Sequence, residues 1–265
     1  MSGGAHPYGD QTWMLSFDSE DEPPAELPAP IYVGLGLEAC KPVALSTGEW
    51  LLPLYVNHGR PPSANFYATR NHSAFEFLPG ISIPKEKQGF EEHTLIEKKN
   101  GDLWCLLRAD GGLQEALSHD KGRTWSDARS PAELKHTSSR LFLRRLASGN
   151  LLLVKHGRPN EDVGRRNLSA FISEDDGATW KGGLLLDERL HASYPDGDQL
   201  PDGTIYVVYD HDRSRFGTVH FARFTEADVL AGKDVSGKMR LRGVITKNPS
   251  WRHPDRLRSR GSATL

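Results

Sequence analysis

A hairpin motif recurs four times along the chain, and no other feature restricts the fold as strongly. Each copy is a polar residue and a glycine followed by an apolar run, and the copies read "STGEWLLPLYV", "KNGDLWCLLR", "ASGNLLLVKHG" and "PDGTIYVVYD". Their glycines, Gly48, Gly101, Gly149 and Gly203, lie 53, 48 and 54 residues apart, a period typical of solenoids and propellers. The runs are short and rich in strand-forming residues. We therefore predict two strands joined by a tight turn, with glycine supplying a positive φ.

An octamer follows the strand pair in two of these units. It reads "SHDKGRTW" at residues 118–125 and "SEDDGATW" at residues 173–180. Serine and aspartate suit hydrogen bonds to the backbone of their own turn, glycine suits a left-handed backbone, and tryptophan suits packing between sheets. A calcium loop would need more carboxylates at alternating positions. The octamer is therefore predicted to be architectural.

Together these repeats predict about four strands per fifty residues, which is the size of a propeller blade. The expected fold class is an all-β propeller of four-stranded blades. A helix is predicted only at "TEADVLAG", with Thr225 as its N-cap. We expect an acidic, proline-rich N-terminal segment over residues 1–30, propeller blades over 31–235, and a strand and basic tail over 236–265.

The composition excludes several classes of protein. The chain has 33 basic and 35 acidic residues, so no global positive field is available to bind nucleic acid. No apolar run is long enough to span a bilayer, and no signal peptide opens the sequence, which predicts a cytoplasmic protein, or a secreted or periplasmic one if residues are missing from the N-terminus. Cys40 and Cys105 lie beside apolar runs, as reduced thiols do. Because the histidines lack paired zinc-ligand spacing, neither a metal nor a cofactor is expected.

The octamer is the Asp-box, and from about residue 41 to residue 224 the chain resembles the sialidase (neuraminidase) superfamily of propellers, usually six-bladed. The resemblance lies in the order of Glu92 before the second hairpin, Arg108 at the end of its strand, Arg166 before the second Asp-box strand, and Tyr194 before the fourth hairpin. It implies an enzyme that hydrolyses a terminal acidic sugar from glycans. Glu91 competes with Glu92 for its position, and Arg165 competes with Arg166.

The chemistry of these residue types fits that reaction. Sialic acid carries a carboxylate on its anomeric carbon, which would repel a carboxylate nucleophile, whereas a tyrosine hydroxyl is neutral. Because a free tyrosine is a weak nucleophile, Glu92 is expected to take the proton of Tyr194. Arginines such as Arg108 and Arg166 would bind the sugar carboxylate through paired hydrogen bonds.

Further polar residues stand near predicted strand ends. The family's usual R-I-P segment and its acidic residue have no counterpart here, so another residue would have to act as the general acid. Asp196 is the candidate named for this role, and the alternatives are Asp210, His136, His156 and His211. The missing R-I-P segment predicts an incomplete N-terminal part of the propeller. The additional candidates for substrate binding are Arg140, Arg213, His136 and His156.

Two other functions remain open from the sequence. Propellers of similar build act on uronates as polysaccharide lyases, using tyrosine or histidine as the base and arginine to neutralise a carboxylate. A propeller that kept its arginines and lost its acid would bind carbohydrate without turnover. Fold alone does not separate these functions.

Overall fold

The structure is a computed structural model that describes residues 10–17, 26–38, 40–56, 63–215 and 217–247. It divides into two compact units, residues 1–132 (unit 1) and residues 133–265 (unit 2). The predicted N-terminal segment is described in part, and the tail beyond residue 247 lies outside the described residues. In the part of the chain that is described, no helix has both the length and the apolar character needed to cross a membrane.

Unit 1 contains three antiparallel sheets. The first pairs β1 (Gln11–Met14) with β2 (Ile31–Leu35). The second has the order β3-β5-β6-β7, with β4 also paired to β5; its strands are β3 (Leu37–Glu38), β4 (Val43–Ala44), β5 (Trp50–Val56), β6 (Ser63–Thr69) and β7 (Glu76–Ile81). The third has the order β8-β9-β10; its strands are β8 (His93–Glu97), β9 (Leu103–Ala109) and β10 (Gly112–Ser118).

Unit 2 contains two four-stranded antiparallel sheets in which neighbouring strands are consecutive in sequence. The first consists of β11 (Phe142–Arg145), β12 (Leu151–His156), β13 (Leu168–Ser173) and β14 (Lys181–Asp187). The second consists of β15 (Ala192–Gln199), β16 (Ile205–His211), β17 (Thr218–Phe224) and β18 (Arg240–Lys247). Up-and-down sheets of this kind are what the hairpin repeat predicts for propeller blades.

The four hairpin glycines lie where the sequence places them. Gly48 precedes β5, Gly101 precedes β9, Gly149 precedes β12 and Gly203 precedes β16, and each has a φ between 79° and 89°. Each glycine amide donates to the backbone oxygen three residues earlier. The tight turn is therefore confirmed in all four hairpins.

Both octamers form the same hydrogen-bonded turn. In the second, Asp175 accepts from the amide of Thr179 at 2.8 Å and from its hydroxyl at 2.5 Å, while Ser173 accepts from the amide of Gly177. These bonds from Thr179 lower the pKa of Asp175 to about 2. The first octamer has the equivalent bonds, and its Trp125 stacks on Phe66 of another sheet at 4.8 Å. The architectural interpretation is confirmed.

The core of unit 2 fills the space between its two sheets and the one helix. Its members are apolar, and most are less than 2% exposed, as in Val154, Ile172 and Phe224. Burial of such side chains is the main stabilising contribution to folding. Unit 1 has its own cores, which include Leu51, Phe66 and Leu103.

Helix α1 (Glu226–Ala231) begins at the predicted N-cap. The hydroxyl of Thr225 accepts from the amide of Asp228, and the Asp228 carboxylate accepts from the amide of Thr225, which forms a capping box. The helix packs closely on β14: a Cβ on Gly182 would lie 2.2 Å from the backbone oxygen of Val229. Glycine at position 182 therefore permits the helix to reach the sheet.

Asp228 also holds the segment after the helix, and its removal is expected to destabilise unit 2. This fully buried carboxylate accepts from the amides of Val235 and Ser236 and from the Ser236 hydroxyl, in addition to its bonds with Thr225. Asp228→Ala leaves these donors without their acceptor and should reduce the free energy of unfolding by about 3 kcal/mol. Urea unfolding measures the change.

Asp234 provides a matched control. It lies in the same segment, is exposed and accepts from the amide of Gly237. Asp234→Ala should change the free energy of unfolding by less than about 1 kcal/mol. Equal effects of the two substitutions would contradict the assignment of Asp228 as the central acceptor.

Candidate active site

Tyr194 occupies an irregular position in β15. Ser193 pairs with Asp210 and Asp196 pairs with Val208, so Tyr194 and the following proline together oppose a single residue of β16. This arrangement is a β-bulge, a feature that redirects side chains and is frequent beside active sites. Tyr194 has a φ of 55°, in the left-handed region that a bulky residue avoids at a cost of about 1 to 2 kcal/mol. A strained, half-buried tyrosine is a candidate functional residue.

Three arginines surround the ring of Tyr194. The guanidinium carbon of Arg213 lies 4.1 Å from the ring centroid, that of Arg140 lies 5.5 Å away, and that of Arg165 lies 5.8 Å away. All three fall within the range of cation–π attraction. Burial acts to lower the pKa of Arg213, but the hydrogen bond to Asp210 and the proximity of Tyr194 raise it overall. The phenol therefore lies in a strongly positive environment.

Each arginine is held by a different partner. Arg140 contacts Asp196 at 3.5 Å, and Asp196 also accepts from the amide of Gly197. Arg213 contacts Asp210 at 2.9 Å. Burial raises the pKa of the Asp210 carboxyl, and the contact with Arg213 opposes that effect. These contacts fix the directions of both guanidinium groups.

Arg165 is held by neutral oxygens. It donates to the hydroxyl of Ser193 at 3.3 Å and to the backbone oxygen of Ser138 at 3.2 Å. Its own backbone oxygen accepts from the amide of His191 at 2.6 Å. The neighbouring Arg166 is exposed. Of the two arginines that the sequence leaves open, the structure thus places Arg165 beside the tyrosine.

A polar pocket of about 640 Å³ lies beside this group in unit 2. It is lined by three arginines, two aspartates, two serines and a histidine: Arg165, His191, Ser193, Asp210, Asp212, Arg213, Ser214 and Arg215. The size is within the range of small-molecule sites. Its excess of arginine favours an anionic ligand.

The two histidine candidates lie elsewhere. His136 and His156 are 2% and 1% exposed, and their rings stack on each other at 5.3 Å. Burial lowers the pKa of both imidazoles, that of His156 to about 4. Their Nε2 atoms face backbone oxygens, those of Arg140 and Ala192. The structure therefore places both rings inside the unit and outside the wall of the pocket.

In unit 1, Glu92 and Arg108 form a buried ion pair. The Arg108 guanidinium donates to Glu92 Oε2 at 2.7 Å, with side chains that are 10% and 6% exposed. The ring of Phe90 lies 4.9 Å from the guanidinium carbon of Arg108. Glu91 is fully buried and accepts from the amide of Gly89, and burial raises the pKa of its carboxyl. Glu92 and Tyr194 belong to different units, and their pairing stays a prediction.

One network beside the bulge was not anticipated from the sequence. Tyr209, the β16 residue opposite the bulge, donates to Asp187 at 3.0 Å, and Asp187 also accepts from Arg189. Although burial acts to raise the pKa of Asp187, the hydrogen bonds from Arg189 hold it below its usual value. In the sequence, this network is indicated only by an aspartate and an arginine two positions apart, Asp187 and Arg189, at the end of an apolar strand. Among the described residues, no group of three or more His, Cys, Asp or Glu side chains is placed to hold a metal ion.

Comparisons with known proteins agree with this architecture. A family model described as "BNR repeat-like domain" matches residues 4–207. The sialidase of Vibrio cholerae is 32% identical over 143 residues, a match that covers 46% of this chain and 18% of that protein. The chain therefore spans less than a fifth of the length of this curated relative.

Solved structures of glycan-processing enzymes share the fold. The intramolecular trans-sialidase from Ruminococcus gnavus, solved with oseltamivir carboxylate, matches 83% of this chain and 51% of its own, with a TM-score of 0.61 and 21% identity. An exo-beta-1,3-galactanase from Phanerochaete chrysosporium, solved with galactose, matches 72% of this chain and 47% of its own, with a TM-score of 0.53 and 9% identity. The predicted all-β propeller is confirmed; both sheets of unit 2 have the expected four strands, whereas the sheets of unit 1 have two, five and three. The total number of blades stays a prediction.

Proposed function

The chain belongs to the BNR repeat-like family, and on that premise we propose that it forms part of a sialidase-like exo-glycosidase that removes a terminal acidic sugar from glycans. The observation that carries the proposal is the cluster of Arg140, Arg165 and Arg213 around the strained Tyr194. Three guanidinium groups on one phenol suit a substrate whose carboxylate lies on the carbon under attack.

The proposed reaction is a double displacement with Tyr194 as the nucleophile. The Tyr194 oxygen bonds to the anomeric carbon while the glycosidic bond breaks, and Glu92 takes the phenolic proton. The arginines bind the sugar carboxylate and keep it beside the phenol. Water then cleaves the sugar from Tyr194, so that the anomeric configuration is retained.

The departing alcohol needs a proton, which Asp196 is proposed to supply. Asp196 lies two residues beyond Tyr194 and is the first residue after the bulge. Substrates with a good leaving group, such as a 4-methylumbelliferyl sialoside, require that proton less than alkyl glycosides do. Asp196→Asn should therefore slow the hydrolysis of sialyllactose more than that of the fluorogenic sialoside, and this comparison tests the assignment.

The two adjacent arginines give a sharp test of the proposed site. Arg165→Lys replaces a planar donor with a point charge next to Tyr194 and should weaken binding of oseltamivir carboxylate by about 10- to 100-fold. Arg166→Lys should leave the affinity within about twofold, because Arg166 is exposed and lies outside the pocket wall. Isothermal titration calorimetry measures both dissociation constants. Equal losses in the two variants would place the carboxylate site elsewhere.

A uronate lyase is the second candidate. His191 lines the same pocket as Arg165, which provides a base beside a group that neutralises a carboxylate. Such a reaction yields an unsaturated uronate, which absorbs ultraviolet light. Hydrolysis yields a saturated sugar, which lacks this absorbance. Incubation of the protein with uronate-containing polysaccharides, followed by absorbance, separates the two functions.

A further inference from the structure

Lys155 is an unusual residue for its position. It is fully buried near the end of β12, whose preceding residues, 151–154, are all apolar. Its ammonium group donates to the backbone oxygens of His156, Arg158 and Glu161, with Gly157 O at 3.5 Å. Burying an ammonium group is unfavourable unless hydrogen bonds compensate for the loss of water. Here the compensation comes from one loop, which folds around the charge.

That loop carries Arg165. It runs from the end of β12 to the start of β13, and the amide of Gly157 closes it by donating to the backbone oxygen of Asn167 at 3.0 Å. Lys155 fixes the first half of the loop, and Arg165 extends from the second half to Ser193. Lys155 and Arg165 thus belong to the two halves of one loop whose ends are hydrogen-bonded to each other.

The next residue, His156, contacts the strand of Tyr194. Its Nε2–H donates to the backbone oxygen of Ala192 at 2.6 Å, two residues before Tyr194. Ala192 is the first residue of β15 and is fully buried. This bond fixes the strand immediately ahead of the bulge.

His136 completes the arrangement. Its ring is nearly parallel to that of His156, at 11°, and its Nε2 faces the backbone oxygen of Arg140 at 3.4 Å. Three buried side chains thus contact backbone near the candidate site: Lys155 in the loop that carries Arg165, His156 two residues before Tyr194, and His136 at Arg140 itself. The contacts are made to backbone, so the buried side chains act on position rather than on a ligand.

We propose that three buried side chains, those of Lys155, His156 and His136, are positioning residues. They hold Arg165, Tyr194 and Arg140 in place relative to one another. The expected effect of these residues on catalysis rests on the proposed function, whereas their expected effect on the order of the backbone is independent of it. Neither histidine binds substrate in this assignment, because both are enclosed behind the backbone that they anchor.

Hydrogen exchange of the full chain tests the anchor directly. Lys155→Met keeps the length of the side chain and removes the donors, so amides of residues 157–166 should exchange about 10-fold faster while those of β16 and β17 stay unchanged. Lys121→Met is the matched control: Lys121 donates to Glu97 and to the backbone oxygen of Gly101 in unit 1. Unchanged exchange at 157–166 in a folded Lys155→Met protein overturns the proposal, as does equal acceleration throughout unit 2.

Kinetics with a fluorogenic sialoside gives a second, independent result. Lys155→Met should raise KM about 10-fold with a smaller effect on kcat, because Arg165 is proposed to bind the substrate carboxylate.

His156→Leu should lower kcat by roughly 10- to 100-fold through displacement of Tyr194. His156→Gln keeps a donor at the Nε2 position and should restore most of the lost kcat. Equal losses in both His156 variants contradict the assignment. A wild-type protein without activity would end the proposed function, while the exchange experiment would still decide the positioning role.

Discussion

Tyr194→Phe is expected to reduce hydrolysis of a 4-methylumbelliferyl sialoside by at least roughly 1,000-fold, because the variant retains the ring and lacks the attacking oxygen. The cation–π contacts with Arg140, Arg165 and Arg213 involve the ring and should survive. Binding of oseltamivir carboxylate should therefore change by less than about 10-fold. A large loss of turnover with a small loss of affinity is the result that a nucleophile predicts.

Tyr206→Phe is the control for this substitution. Tyr206 lies in β16 of the same sheet, with its ring 6.2 Å from that of Phe221 and outside the pocket wall. Its loss of a hydroxyl should leave turnover within about twofold. Full activity in Tyr194→Phe would refute the nucleophile assignment, whereas loss of both turnover and affinity would assign Tyr194 to binding.

Acid should destabilise unit 2 through its two stacked histidines. Burial, followed by the neighbouring cations, lowers the pKa of His136 and of His156, the latter to about 4. Because the unfolded imidazoles take up protons below their ordinary pKa of 6.5, stability is complete above that pH and falls as the pH drops toward 4. For His156 the loss between pH 7 and pH 4.5 is roughly 2 kcal/mol, and His136 adds to it in the same direction.

The charged groups near the rings agree with this direction. Lys155 and Arg165 oppose a positive charge on the imidazoles, and Asp162 favours it on His156. The aspartates with a pKa of about 2, Asp120, Asp175, Asp202 and Asp228, lose their contribution only below about pH 4. Urea unfolding between pH 4.5 and pH 7 therefore reports on histidines rather than on these carboxylates.

His156→Gln separates this effect from other acid effects. The glutamine keeps the donor to Ala192 and cannot titrate, so the pH dependence of unfolding should be smaller than in the wild type. The remaining dependence would come from the other histidines whose pKa is lowered by burial, His93, His136, His211 and His220. The variant would be less stable than wild type at pH 7 and lose less stability on acidification. A pH dependence identical to that of the wild type would show that the stacked rings are not responsible.

The sequence was informative where a single local interaction decides the structure. The hairpin glycines, the Asp-box turns and the Thr225 cap each depend on residues within a few positions of one another, and all were predicted correctly. Tyr194 became a candidate through the order of motifs in a family, and its role stays a prediction. Its bulge was not predicted, because the register of β15 depends on pairing with β16 rather than on the letters of "SYPDGDQ".

The arginine and histidine candidates show the limit of local reasoning. Arg165 and Arg166 are equivalent candidates in the sequence. Only the path of the loop from β12 to β13 shows that Arg165 reaches Ser193 and that Arg166 faces solvent. His136 and His156 stand near strand ends, as surface residues do. Both are nevertheless buried, and their rings stack on each other, a contact between residues twenty positions apart.

The bulge at Tyr194 has a consequence for engineering of the chain. Alternate side chains of a strand point to opposite faces, so deletion of one bulge residue would turn the phenol to the other side of its sheet while leaving the remaining ladder of β15 and β16 paired. A one-residue change in length would thus move the phenol of Tyr194 relative to Arg140, Arg165 and Arg213 while leaving the scaffold in place.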